Sequence, residues 1–164
     1  MSAAAMHLAP LDPTGADAQA LIAQSEALMS ALYPSESNHF EPAGNLRPPN
    51  GAFWGLWVGE CLVGCGGVKH FAAAGEEPAY GEIKRLFVLE SARGRGVARQ
   101  LMARLEAGLT ERGVSLARLE TGIHQPEALA LYRRLGYRER GPFGDYAHDP
   151  LSAFFEKQLP GAAT

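Results

Sequence analysis

Residues 82–101, EIKRLFVLESARGRGVARQL, join a strand-like apolar run to a loop rich in glycine and arginine and then to the start of an amphipathic helix. That junction has the chemistry of an anion site. A helix N-terminus exposes unpaired N–H groups and carries roughly half a positive charge. Gly94 and Gly96 let the backbone approach a ligand closely, and Arg93, Arg95 and Arg99 add charge, so the loop suits a pyrophosphate. A tight strand-to-helix turn with solvated arginines would be spelled the same way. Two common phosphate loops are excluded by particular residues. No Gly-Lys-Ser/Thr closes this loop as a Walker A motif requires, and Arg99 stands where a dinucleotide fingerprint needs its third glycine.

The elements that must position this loop are legible from periodicity and breakers. Residues 6–12 read as a short edge strand limited by Pro10 and Pro13, and a helix is expected over residues 15–32, ended by Tyr33-Pro34. Residues 35–50 hold three more prolines, which predicts a loop with one helical turn. Runs at 52–58 and 61–71 flank a Gly59-Glu60 hairpin turn, and a third run covers 80–89. Val97, Leu101, Leu105 and Leu109 then keep helical spacing until Gly113. A strand at 116–121 follows, then a short helix bracketed by Pro126 and Gly136. Strands at 137–140 and 151–159 flank the loop GPFGDYAHDP. No repeat or linker interrupts the order, so one α/β domain over residues 1–164 is expected.

Composition removes several function classes. With 46% apolar and 20% charged residues the chain is globular, and a formal charge of −3 gives no basic footprint for nucleic acid. No apolar run reaches the roughly 18–20 residues that span a bilayer. The opening MSAAAMHLAP lacks the basic and apolar regions of a secretory signal. A cytoplasmic protein with neither membrane nor nucleic-acid partner is expected. Cys61 and Cys65, four residues apart on one strand, would sit about 13 Å apart, whereas a disulfide needs Cα atoms within about 7 Å. They lack the histidine pair of a zinc site, and no metal is expected.

The loop RGRGVA at 93–98 resembles the Q/R-x-x-G-x-G/A segment by which GNAT acetyltransferases hold the pyrophosphate of CoA. LYRRLGY at 131–137 is similar to that superfamily's LY-x-x-x-GF/Y signature, and the order of elements over most of the chain matches as well. PSESNH at 34–39, YGEIK at 80–84, LETG at 119–122, PFGDY at 142–146 and DPLS at 149–152 resemble the small bacterial YsnE-type members. The resemblance implies a GNAT fold: a mixed, mostly antiparallel sheet of about seven strands with about four helices. A splayed strand pair would hold acetyl-CoA, with no metal. It also implies an N-acetyltransferase acting on the amine of a small molecule; a homodimer formed through the C-terminal strands would follow family habit.

The same resemblance assigns roles. An alkyl amine with a pKa near 10.4 is mostly protonated at neutral pH, and freeing it costs roughly 4–5 kcal/mol at pH 7. A positioned carboxylate assists that step. Glu82, six residues before Val88, matches the base of histone-type members, and Glu120 matches the base of ribosomal-protein acetyltransferases; Glu82 is preferred. Either could instead be a strand glutamate paired with Lys84, Arg85 or Arg118. A backbone N–H near Phe87 or Val88, in the run starting at Leu86, would meet the developing oxyanion. Tyr132 matches the general acid, although it would also serve as a core aromatic. Cofactor contacts are expected from Leu86, Phe87, Val88, Arg93, Gly94, Arg95, Gly96, Val97, Ala98, Arg99 and Gln125, the last where the family often has asparagine. Tyr33, Glu36, His39, Phe143 and Tyr146 are expected at the acceptor, with Asp145 and Asp149 adding negative charge for a cationic amine. A non-catalytic acyl-CoA sensor with the same fold is the other reading.

Overall fold

A computed structural model describes residues 5–160, so residues 1–4 of the opening segment lie outside the described part. Seven strands form one sheet: β1 (Met6–Pro10), β2 (Gly51–Val58), β3 (Cys61–Phe71), β4 (Tyr80–Val88), β5 (Leu116–Gly122), β6 (Arg138–Arg140) and β7 (Ser152–Gln158). Their order is β1-β2-β3-β4-β5-β7-β6, antiparallel throughout except for the parallel pair β4–β5. The mixed, mostly antiparallel sheet expected from the resemblance is therefore present. Three α-helices are described, α1 (Ala16–Leu32), α2 (Val97–Glu111) and α3 (Pro126–Arg134), rather than about four. Between α1 and β2 there are only 3₁₀ turns at Ser35–Ser37 and Ala43–Leu46. Pro42, Pro48 and Pro49 each remove a backbone donor there, which leaves no room for a longer helix. β1 also stops at Pro10, two residues short of its expected end.

Small residues decide where α2 sits. Successive residues of a strand face opposite sides of the sheet, and Gly64 and Gly66 of β3 and Gly81 of β4 all meet α2. A Cβ at Gly81 would lie 2.3 Å from Leu109, and one at Gly64 would lie 2.8 Å from Val97. Only glycine lets the helix come this close. Leu101, Met102, Leu105 and Leu109 are fully buried as a result. On the other face, α1 packs Ala18, Leu21 and Ile22 against Phe53 and Cys65. Cys61 and Cys65 are both free thiols. Among the described residues no helix is long and apolar enough to cross a membrane.

Two irregularities in β4 matter most. It pairs with β5 only at Gly81↔Ala117 and Glu82↔Arg118, after which the strands part. Its register with β3 also shifts, from Gly67↔Lys84 to Cys65↔Phe87, so Arg85 and Leu86 together face Gly66 in a β-bulge. Arg85 takes a left-handed φ of 59°, unusual for a residue with a side chain. The Cys65 thiol donates to the Arg85 carbonyl (3.5 Å), tying the bulge to β3.

Gly81→Ala is expected to cost about 1–3 kcal/mol by overpacking against Leu109. Gly44→Ala, where nothing lies within 4 Å of the added carbon, should stay within about 0.5 kcal/mol of the parent. Urea unfolding of both variants checks the difference.

Candidate active site

The parting of β4 from β5 opens a cavity of about 1250 Å³. Residues 83–88 of β4 form one wall and Glu120, Thr121 and Gly122 of β5 another; α1 and residues 37–41 line it from one face of the sheet, and residues 92–94 and 96–99 with α3 from the other. The β4 wall is an unused strand edge. Leu89 N–H donates to the Val63 carbonyl at 2.9 Å, and hydrogen-bonded and non-bonded pairs alternate along an antiparallel ladder. Phe87 therefore bonds toward β3, while the N–H of Val88 turns into the cavity. The Phe87 side chain packs into the core beneath α1.

That edge leads to the glycine loop. Gly94 and Gly96 hold left-handed φ values of 80° and 78°, where any side chain is strained. Gly96 is the N-cap of α2 and offers no side-chain cap, so the first-turn N–H groups of Val97, Ala98 and Arg99 stay available. The first bond of the helix runs from Gln100 N–H to the Gly96 carbonyl (3.0 Å). Arg93 and Arg99 stand on the wall, whereas Arg95 is exposed and outside it. Uncapped donors, left-handed glycines and two arginines together fit a pyrophosphate.

Across from β4, Glu120 lines the cavity and accepts a hydrogen bond from Ser152 Oγ at 2.7 Å. Burial pushes its carboxyl above the ordinary glutamate value, and Ser152, His39 and Lys84 only partly oppose this. Tyr132 of α3 is 7% exposed and also on the wall, and its hydroxyl has no hydrogen-bond partner among the described residues. Burial, helped by the charge of Glu120, pushes its phenol up, so it stays protonated. Tyr33, at the end of α1, reaches the turn between β5 and α3. Its hydroxyl accepts from His124 N–H (3.0 Å) and donates to Gln125 Oε1 (3.3 Å), and its ring stacks on His124. Gly122 makes this possible, because a Cβ there would lie 2.0 Å from the hydroxyl.

A family model described as the acetyltransferase (GNAT) family matches residues 20–137. The chain belongs to that family. It is 42% identical over 139 residues to an IAA acetyltransferase of Azospirillum brasilense, covering 85% of this chain and 88% of that one. It is 34% identical to the uncharacterized N-acetyltransferase YsnE of Bacillus subtilis, covering 94% and 100% of the two chains. A crystal structure from Klebsiella pneumoniae, assigned by inference as an acyl-CoA N-acyltransferase, superposes with a TM-score of 0.78 at 35% identity, covering 94% and 97%. This GNAT protein is thus an acyltransferase, and its likeness to YsnE agrees with the motifs of its loops.

Several expected site residues stand elsewhere. Glu82 is 4% exposed and off the wall; its Oε2 accepts from Tyr146 Oη at 2.5 Å and meets Lys84 Nζ at 3.4 Å. Phe143 is in the core with Tyr80, Leu116 and Phe154, because an aromatic side chain of this loop fills the space over that end of the sheet. Tyr146 is spent on Glu82 and on an edge-to-face contact with His39. Glu36 is exposed and outside the cavity. Tyr33, His39 and Gln125 are on the wall as expected, joined by Lys84 and Arg85. The sequence offers those two cations only as ion-pair partners of the glutamates, since nothing local in it announces the bulge that turns them.

Tyr33→Phe leaves His124 N–H without its acceptor and frees Gln125. It is expected to cost about 1–2 kcal/mol, read by urea unfolding, with weaker CoA binding in the same variant by calorimetry.

Proposed function

We infer that this protein transfers an acetyl group from acetyl-CoA to the primary amine of a small molecule, by direct attack in a ternary complex. One observation carries the reading: a free strand edge on β4 runs into the uncapped N-terminus of α2, inside the cavity that also holds Glu120 and Tyr132. Acetyl-CoA supplies an activated acyl group on a thiol ester. Residues 93–99 hold its pyrophosphate, and the β4 edge aligns its extended arm as an added strand would pair. The name of the Azospirillum relative supports a small-molecule acceptor.

The residues divide the work by position. Glu120 is assigned as the general base, in place of the Glu82 preferred from sequence, because Glu120 faces the cavity and Glu82 is engaged by Tyr146 and Lys84. It takes the proton lost as the amine nitrogen bonds to the acyl carbon. The Val88 N–H stabilises the negative charge that develops on the acyl oxygen. As the carbon–sulfur bond breaks, Tyr132 donates its proton to the departing thiolate. Both roles suit the environments: burial keeps the phenol protonated and makes the carboxylate a stronger base.

Thiol release from acetyl-CoA tests this. Glu120→Gln keeps an oxygen for Ser152 and is expected to lower kcat by about 10²–10⁴-fold. Wild-type rate should fall with acid through a pKa above the ordinary glutamate range. The stability sign is opposite. A raised carboxyl pKa in the fold gives stability that is full below the unfolded value and is lost as pH rises through the folded one. Glu120→Gln should therefore melt no lower than wild type at neutral pH, so that lost activity is not lost folding. A full loss in Glu82→Gln with none in Glu120→Gln would return the base to Glu82.

A further inference from the structure

The carboxylates expected to draw a cationic amine are absent from the acceptor side of the cavity. Glu36 and Asp145 are exposed outside it, and Asp149 is held by Ser37 Oγ at 2.7 Å. Lys84, Arg85 and His39 line that side instead, with Glu41 and Glu120. Both acids are largely answered. Glu41 pairs with Lys69 at 3.1 Å, and Glu120 accepts from Ser152 Oγ at 2.7 Å. Lys84 in turn faces Glu82. Arg85 has the loosest pairing of the cavity cations here, with Glu26 at 3.6 Å.

Its guanidinium is held in a particular way. Nε and Nη2 both donate to one acceptor, the Glu41 carbonyl, at 3.3 and 2.9 Å, and Phe40 covers its face with the ring centroid 5.1 Å away. Its nearest carboxylate, Glu26 on α1, is 3.6 Å from Nη1 and 35% exposed, too far for a hydrogen bond. One edge of the fork is thus used to fix orientation. The other edge, Nη1–H with the second Nη2–H, makes no hydrogen bond among the described residues and has only Glu26 beside it. The left-handed backbone at Arg85 is a costly conformation for a side-chain residue, and such strain gathers at functional sites.

We propose that the acceptor carries a carboxylate as well as its amine, taken end-on by the edge of Arg85 that makes no hydrogen bond within the protein. A planar fork matches a carboxylate with two parallel hydrogen bonds. This rests on the acetyltransferase reading, whose transfer step is unchanged: nitrogen–carbon bond made, carbon–sulfur bond broken, proton to Glu120.

The test screens α- and ω-amino acids, each against its own carboxamide, by thiol release from acetyl-CoA with the wild-type protein. CoA binding is measured separately by calorimetry. Turnover of one or more amino acids, with the matching amides at least about 10-fold poorer in kcat/KM, is expected. Arg85→Gln should then lose about 10–100-fold on the acid, mainly through KM, while leaving the amide and CoA affinity unchanged. Amides turned over as well as their acids would overturn the proposal, and because that comparison uses wild type it survives a variant that fails to fold. CoA binding with no amino acid turned over would also overturn it while leaving the cofactor site standing. No CoA binding at all would remove the reading beneath it.

Discussion

The two-residue pairing of β4 with β5 is the constraint on which the site depends. Had the parallel ladder continued past Glu82 and Arg118, the N–H of Val88 would be spent within the sheet and no cavity would exist. The strands part because each is committed elsewhere: β4 follows β3 through its bulge, and β5 pairs with β7 over its whole length, from Leu116↔Gln158 to Gly122↔Ser152. An open strand edge inside a protein normally carries a penalty in unpaired backbone groups. On the proposed function, the extended arm of CoA answers that penalty.

Each border of the opening is held by a different kind of interaction. On the α2 side the glycines of β3 and β4 bring the helix close, which fixes where its N-terminus points. On the α1 side Tyr33 clasps the turn carrying His124 and Gln125. The loops after α1 and before β7 are joined by Ser37 to Asp149 and by His39 against Tyr146. The two borders of the cavity are therefore linked through α1 and β5 rather than across the cavity itself, which stays open.

Much of this was legible in the sequence where the signal is local. The period of Val97 to Leu109, the glycines at 94 and 96, and Pro126 and Gly136 around α3 each state their structure within one turn. Pairing is another matter. Which glutamate faces the cavity depends on register, and a single-residue shift exchanges the faces of a strand; the bulge at Arg85 makes such a shift. Phe143 resembled an acceptor contact because it is an aromatic residue in a polar loop, yet packing against Tyr80 and Phe154 claimed it. The place of Arg85 on the wall arises from the same bulge, which no local pattern of residues spells.

The most direct measurement is to follow backbone amide resonances while CoA is added to isotopically labelled protein. Saturable shifts are expected to be largest at Leu86, Val88 and residues 94–99, with the paired strands β1 and β2 nearly unmoved. If the largest shifts fell elsewhere, or if the amides of Leu86 and Val88 were silent while CoA bound, the open edge of β4 would not be the cofactor's seat.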